Sequence, residues 1–287
     1  MAQKDKLTSD LQRLLKSQNF KNEEEANSFL NSLMGKPLPS LSKEDLSPQE
    51  QAEDMVFEAW GKPFEDGLEM AVTALEIDPD CIAAYEFLAA NQGVIGLSLP
   101  FYAYGVEIGR RLFGGSFLLE NKGHFWGIVE TRPFMRCLHQ YAACLYALDK
   151  NDLAFAIYRE ILDLNPGDNQ GIRYEYQLYL IESGKYDEFE KVDLEFQDEI
   201  SAFACFNRTL FSFIKEGDTE KSRGLLKKAI AKNKFVVAKL LSPNPPERGV
   251  NAYALGSKEE ALHYVSFAWE TWDGFEKALA WLRKNKK

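Results

Sequence analysis

Several signatures of common enzyme classes are missing from this sequence. It contains no GxxxxGK[ST], GxSxG or HExxH pattern, so it shows no phosphate-binding P-loop, no serine nucleophile elbow and no zinc-protease helix. Its four cysteines form no CxxC pair. We expect them to be reduced, mostly buried thiols of a cytoplasmic protein. These cysteines are Cys81, Cys137, Cys144 and Cys205.

Positive charge and long apolar runs are also scarce. The chain has 44 acidic and 34 basic residues, for a net charge of −10, which disfavours general nucleic-acid binding. The first ten residues, MAQKDKLTSD, have no apolar run and do not resemble a secretory signal. Glycines, Pro100 and Glu107 interrupt the weakly charged stretch 93–109, which falls short of the roughly 20 apolar residues of a membrane span. We therefore expect neither a nucleic-acid nor a membrane partner.

Helix signals are frequent and strand signals are few. Ser47, Pro48 and Glu50 have the spacing of an N-cap, a first-turn proline and a capping-box acid. The next segment, 64–78, has apolar residues at helical spacing and ends before Pro79. With 45% hydrophobic residues, the chain can bury a sizeable core. The sequence predicts an all-α fold.

The helices occur in pairs. Segment 132–169 is typical of a tetratricopeptide repeat, a unit of about 34 residues made of two packed helices with a proline near its end. When Pro166 takes the position of that proline, Ala142 and Ala154 fall where the helices touch and Tyr158 falls at a large aromatic position. Weaker pairs precede and follow. We predict a right-handed solenoid of about five such hairpins.

The chain divides into an arm and a repeat domain. Residues 1–46 are predicted to form two short amphipathic helices and a linker, acting as a cap or as a mobile arm. Residues 47–287 form the predicted repeat domain, with an insertion at 114–131 and a proline-rich break at 242–255.

Two sequence blocks resemble a known family. GHFWGIVETRPFMR (123–136) and LDLNPGDNQGIRY (162–174) are similar to a segment of bacterial tetratricopeptide-repeat proteins that is shared with the animal suppressor of tumorigenicity 7 family. The resemblance covers roughly residues 50–285. It implies a helical-repeat interaction protein, and it carries no catalytic residue over. The animal members have membrane spans near the front, which this chain lacks, and segment 236–249 departs from the family pattern.

The block 123–136 is interpreted first as a structural joint between the second and third hairpins. Thr131 is the expected N-cap of the next helix, and Trp126 and Phe134 are expected in the core. Glu130 is expected to pair with Arg132 or Arg136. A ligand site is the alternative. The joint residues are His124, Trp126, Glu130 and Arg132.

Repeat geometry predicts a peptide-binding groove along the first helices of the hairpins. Arginine, amide and aromatic side chains recur there and suit a carboxylate-bearing segment. The alternative is that the arginines pair with acids of the same chain, such as Glu130 and Glu175. The predicted groove residues are Arg136, His139, Gln170, Arg173, Tyr174, Gln177, Asn207 and Arg208.

Catalytic and metal sites lack support. Cys137 and His139 are two residues apart on one helix and point in different directions, so they form no dyad. Glu259 and His263 have the i, i+4 spacing of metal ligands, but a third ligand is not evident. No metal, cofactor or catalytic residue is predicted.

The leading hypothesis is a non-enzymatic, cytoplasmic adaptor that binds an extended, acidic protein segment in its concave groove. Another hypothesis is an enzyme or small-ligand protein that uses the 123–136 and 165–174 motifs, including Asp168 and Arg173. A third is a structural subunit that joins a larger complex through its N-terminal helices.

Overall fold

The fold is helical throughout the part of the chain that a computed structural model describes, namely residues 2–18, 20–39, 46–244, 246 and 252–286. These residues form sixteen α-helices and two 3₁₀ turns, with no β-strand among them. The all-α prediction is confirmed. Parts of the predicted linker (40–45) and break (245 and 247–251) lie outside the described residues.

The first of two compact units comprises Met1–Asn169. The predicted arm is part of this unit. Its α-helices are α1 (Ala2–Lys16), α2 (Glu23–Leu33), α3 (Pro48–Ala59), α4 (Phe64–Ile77), α5 (Ile82–Ala90), α6 (Ile95–Leu112), α7 (Gly115–Asn121), α8 (Arg132–Ala147) and α9 (Asn151–Leu164). The predicted insertion contains α7 and the two 3₁₀ turns, Phe125–Gly127 and Val129–Thr131.

The second unit comprises Gln170–Lys287. Its helices are α10 (Ile172–Glu182), α11 (Tyr186–Glu195), α12 (Ala202–Glu216), α13 (Glu220–Lys232), α14 (Val236–Leu240), α15 (Lys258–Gly274) and α16 (Glu276–Asn285). The described residues of the two units together contain six helical hairpins: α3/α4, α5/α6, α8/α9, α10/α11, α12/α13 and α15/α16.

In each unit, the first helices of successive hairpins contact one another. In the first unit α3 contacts α5 and α5 contacts α8, and in the second unit α10 contacts α12 and α12 contacts α15. We call these surfaces the first wall (α3, α5, α8) and the second wall (α10, α12, α15). They correspond to the face on which the sequence predicts a groove.

Helix starts follow the local sequence in one case and not in another. The capping box at α3 is confirmed, because the Glu50 N–H donates to Ser47 Oγ at 3.3 Å and the Ser47 N–H donates to the Glu50 carboxylate at 2.9 Å. At α8, the Thr131 hydroxyl donates backward to the Ile128 carbonyl at 2.9 Å and to the Phe125 carbonyl. Thr131 therefore closes the insertion and does not cap α8, which corrects the sequence prediction.

The second and third hairpins pack through glycines. Gly105 and Gly109 lie one helical turn apart on α6, against Cys137 and Phe134 of α8. A Cβ on Gly109 would lie 2.0 Å from the Phe134 ring, so this helix pair needs glycine for its close approach. The block 123–136 does contribute to this joint, because Phe134 is buried there.

The buried aromatic of the GHFWG segment is Phe125. Its ring is fully buried, with centroids 5.8 Å from Phe117, 6.3 Å from Phe134 and 6.4 Å from Phe113. Trp126 is only half-buried and lies under the Arg132 guanidinium, 5.6 Å from its ring centroid. The expectation of a core Trp126 is therefore wrong. A ring one position earlier in the 3₁₀ turn points inward instead.

We expect Phe125→Ala to lower the free energy of unfolding by about 3–5 kcal/mol, because the substitution leaves a cavity between α7 and α8. Trp126→Ala should cost less, about 1 kcal/mol, since the half-buried ring contributes mainly a cation–π contact with Arg132. Chemical denaturation of both variants measures the difference. Equal losses would show that Phe125 does not hold the joint.

Candidate functional site

The N-terminal helix α1 docks on the first wall through a shared carboxylate. Asp5 accepts hydrogen bonds from Arg132 at 2.8 Å and from Arg136 at 2.6 Å, one on each oxygen. Arg136 also donates twice to Glu86 of α5, at 2.6 and 2.8 Å. Asp5 itself is only 5% exposed. The four side chains form a charge-balanced network of two arginines and two acids.

The other end of α1 carries the opposite charge. Arg13, which is buried, donates to Asp54 at 2.7 Å and lies 3.3 Å from Glu50 and 3.4 Å from Glu53, all on α3. Lys6, which directly follows Asp5 at the first end of α1, also reaches Asp54, at 3.0 Å. This end of the first wall is thus an acidic cluster that α1 neutralises.

Glu130 belongs to the same docking site. It accepts hydrogen bonds from Lys16 at 3.0 Å and from Gln12 at 3.1 Å, both on α1. Burial alone would raise the pKa of Glu130, but bonds from its own backbone, Lys16 and Gln12 lower it below the usual value. The prediction that Glu130 pairs with Arg132 or Arg136 is corrected, because both arginines turn to Asp5.

The docking site of α1 was not predicted from the sequence. Asp5, Ser9 and Arg13 are spaced by four residues, so they share one face of α1, and all three are buried with Leu14. The sequence did contain one signal of this docking site. Asp5 and Arg13 lie eight residues apart on one face of the N-terminal helix. Their partners lie up to 131 residues away, which no local pattern reveals.

Glu53 of α3 has a strongly perturbed carboxyl group in the docking site. Burial raises its pKa to about 7, although hydrogen bonding from Gln49 and the charge of Arg13 oppose the shift. The charges of Glu130 and Asp54 raise it further. Glu53 therefore changes its ionisation near neutral pH, in direct contact with α1.

In the second unit, the predicted groove arginine Arg173 is engaged by its own chain. It donates to Glu199 and to the Tyr174 hydroxyl, and its guanidinium lies 4.2 Å from the Tyr174 ring centroid and 4.9 Å from that of Phe196. Its side chain is 12% exposed. The sequence left open whether Arg173 faces a ligand or pairs with an acid of its own chain. In the structure it pairs with Glu199.

Arg208 is engaged in a similar way. It donates to Asp193 at 2.6 Å and to the carbonyls of Phe196 and Glu199, both at 2.8 Å. It therefore ties α12 to the loop that follows α11. Arg136, described above, is held by Glu86 and Asp5, so all three predicted groove arginines have acidic partners within the chain.

Two of the three predicted groove amides do not reach an open surface. Asn207 and Gln177 are both buried, and Asn207 donates to Gln177 at 3.2 Å and to the Tyr174 carbonyl at 3.3 Å. They join α10 to α12. Gln170 lies ahead of α10, which begins only at Ile172, and His139 is half-buried beside the Tyr158 ring at 6.3 Å. Asn207 and Gln177 are therefore corrected to helix-packing residues.

The second wall carries an aromatic cluster that the sequence analysis did not identify. The Phe203 ring centroid lies 4.5 Å from that of Tyr174 and 5.6 Å from that of His263. Tyr253, from the segment before α15, lies 5.0 Å from His263, and Phe267 lies 5.2 Å from it. Tyr253 is 36% exposed and Phe267 47% exposed, so part of this cluster faces solvent.

Cys137 and His263, two candidate chemical groups of the sequence, have packing roles in the structure. Burial raises the pKa of the Cys137 thiol well above its ordinary value, which makes it a poor nucleophile. His263 packs among aromatic rings, and burial lowers its pKa. His124 is exposed, while Glu130 is bonded to α1. Within the described ranges, no group of three or more His, Cys, Asp or Glu side chains is arranged to hold a metal ion.

Two general properties follow from the described residues. All four cysteines are free, and Cys81, Cys137 and Cys144 are buried, as predicted. No helix in this part of the chain is both long enough and apolar enough to cross a bilayer.

Comparison with known proteins gives one structural likeness. No protein-family model matches the chain, and no curated protein matches it. A solved structure of YrrB, described as a TPR protein with an unusual peptide-binding site, aligns with a TM-score of 0.45 and 20% identity. The alignment covers 71% of this chain and 91% of YrrB.

We expect Arg173→Ala to destabilise the second unit by roughly 1.5–3 kcal/mol, because it removes charged hydrogen bonds in a mostly buried setting. Arg223→Ala is the matched control, since its pair with Asp218 is exposed and should matter little. The melting temperatures of both variants, measured by thermal unfolding, test this difference in stability. An unchanged melting temperature for Arg173→Ala would contradict the structural role.

The pKa of Glu53 predicts a pH-dependent stability difference. Because this pKa is raised from 4.5 to about 7, ionising Glu53 costs stability as pH rises through that window. Glu53→Gln should therefore melt above the unsubstituted protein at pH 8 and together with it near pH 4. Glu58→Gln, at an exposed position of the same helix, should show no such difference. A pH-independent gain would contradict the shift.

Proposed function

We propose that this chain is a non-enzymatic helical-repeat protein that binds a segment of another protein on the first-helix walls of its hairpins. The observation that carries the proposal is the docking of α1. The first wall holds this helix by hydrogen bonds and ion pairs at both ends, through Asp5 and Arg13. A surface that orients one helix by side-chain contacts has the chemistry needed for another segment.

The second wall supports the proposal in a different way. Tyr253 and Phe267 expose aromatic surface beside His263, and aromatic residues are enriched in protein interfaces. This wall offers partly exposed aromatic rings, and its arginine Arg173 is already paired with Glu199. An aromatic anchor of the partner would find stacking surfaces there.

Recognition of an extended acidic segment remains part of the proposal. For Arg173 to bind such a segment, a partner carboxylate must take the place of Glu199. Arg136 must likewise exchange Asp5 or Glu86. Such exchange makes acidic binding weaker than it would be at free arginines, and it makes binding sensitive to salt. Membership in the family that resembles suppressor of tumorigenicity 7, and a cytoplasmic location, are proposals that rest on the sequence blocks and composition.

The enzyme hypothesis has less support. It needs His124 and Glu130 in one pocket, but His124 is exposed and Glu130 is bonded to Lys16 and Gln12. A cleft of about 250 Å³ lies beside α1, lined by charged residues such as Lys6 and Asp54 and by Leu38. Lys6 and Asp54 form an ion pair with each other, which balances their charge without a substrate.

A displayed peptide library, including acidic and helix-forming members, tests the proposal on the full chain. Selected peptides are then titrated by fluorescence polarisation against Phe267→Ala and Tyr253→Ala. Leu194→Ala is the matched control, because Leu194 is an exposed apolar residue on α11, a second helix. We expect about tenfold weaker binding by the wall variants, which is about 1.4 kcal/mol, and no change in the control. The function would be refuted if no peptide bound, or if every bound peptide kept its affinity both for these second-wall variants and for Arg132→Ala at the first wall.

A further inference from the structure

The first wall is covered by a segment of its own chain. Asp5 and Ser9 of α1 lie in a cleft with Phe57 of α3, Ala83 of α5 and Pro133 of α8. Phe57, Ala83 and Pro133 belong to α3, α5 and α8, which together form the first wall. α1 therefore occupies the surface that a helical partner would need.

The charges of the first wall are arranged in a fixed order. Arg132 and Arg136 hold the acidic end of α1, while Glu50, Glu53 and Asp54 hold its basic end. A helix in the reverse orientation would place like charges together at both ends, which disfavours it. The same order also suits the helix dipole, with an acid in the first turn and bases in the last.

Most of the fully buried side chains of α1 are charged or polar, while Leu11 and Leu15 are half-buried. Among its described side chains, from residue 5 onward, the buried ones are Asp5, Ser9, Arg13 and Leu14. Leu7 is 60% exposed. Buried ion pairs add little net stability because desolvation offsets their attraction. By contrast, α8 buries a run of apolar side chains and belongs to the core. α1 is thus the exchangeable helix of this unit.

The tether permits exchange. Residues 17–47 connect α1 to α3, and α2 within this segment buries none of its residues. A tether of this length keeps α1 at an effective concentration on the order of millimolar near the wall. A helix from a partner protein must compete with this effective concentration of α1.

We infer that α1 is a self-ligand of the first wall, displaced by a partner helix with the same charge order: a carboxylate in its first turn and an arginine two turns later. This inference rests on the proposed function and specifies it for the first wall. The chemistry that recognises the partner is the pair Arg132 and Arg136 at one end and the acids of α3 at the other.

The experiment uses a fluorescent peptide of residues 2–18 and the full chain. One protein variant carries Asp5→Lys and Arg13→Glu, which repel the wall and release α1 without altering the wall. The control peptide has Asp5 and Arg13 exchanged, so its composition and net charge are the same. Fluorescence polarisation gives the dissociation constants at low and at raised salt.

We expect the released variant to bind the peptide at least about tenfold more tightly than the unsubstituted chain, because the internal competitor is gone. The exchanged peptide should bind at least about tenfold more weakly, and salt should weaken the authentic complex. Equal affinity of the two proteins would overturn the self-ligand. Equal affinity of the two peptides would overturn the charge order.

A second variant guards against misfolding of the first. Ser9→Trp places a bulky ring where α1 meets the wall and changes no charge, so it should also raise peptide affinity. Size-exclusion chromatography with light scattering adds a further outcome. If the unsubstituted chain is a dimer that the released variant abolishes, α1 serves a second copy and the self-ligand is overturned. If library peptides bind a wall but the α1 peptide does not, this inference fails while the proposed function stands.

Discussion

The hydrogen bonds from Arg132 and Arg136 to the carboxylate of Asp5 are the interaction on which the docking of α1 depends. Two guanidinium groups on successive turns of α8 repel each other, and Glu86 balances only one of them directly. Asp5 supplies the second negative charge from a different helix. Once it does so, α1 is fixed in direction, and Arg13 and Lys16 fall opposite the acids of α3 and Glu130. One shared carboxylate thus sets the register of the whole docked helix.

The second unit resolves the same electrostatic problem locally. Arg173 and Arg208 both turn to the loop between α11 and α12, where Glu199 accepts from Arg173 and from the N–H groups of Ile200 and Ser201. Arg208 binds two carbonyls of that loop. The arginines that the repeat pattern placed on a binding face therefore hold one hairpin to the next. In a helical repeat, an arginine at this position can bind a ligand or a loop of its own chain. Here the acids Glu199 and Asp193 lie close enough to bind Arg173 and Arg208.

Local features of the chain were predictable from the sequence, because they depend on neighbours within one or two turns. The Ser47–Glu50 capping box and the paired helices of 132–164 follow from such signals. The partner of a charged side chain does not follow from local signals. Arg136 finds Glu86 and Asp5, at separations of 50 and 131 residues, and no short pattern separates these acids from the other candidates. Trp126 and Phe125 show the same limit at a finer scale, since the direction of a ring within a 3₁₀ turn depends on the packing of α6 and α7.

The first wall carries positive charge at one end and negative charge at the other. It therefore selects a helix mainly by disfavouring helices whose charges do not match. Without α1, the cluster of Glu50, Glu53, Asp54 and Glu130 would lose Lys6, Arg13 and Lys16, its neutralising partners. An apolar helix placed there would bury these acids without compensation, which costs more than its own burial returns. An acidic helix would add repulsion. Burial is the main cause of the raised pKa of Glu53, about 7 even with Arg13 in place, and the charges of Glu130 and Asp54 raise it further. Only a segment that brings cations to this end and an acid to the other satisfies both, and α1 meets that requirement at the cost of covering the wall.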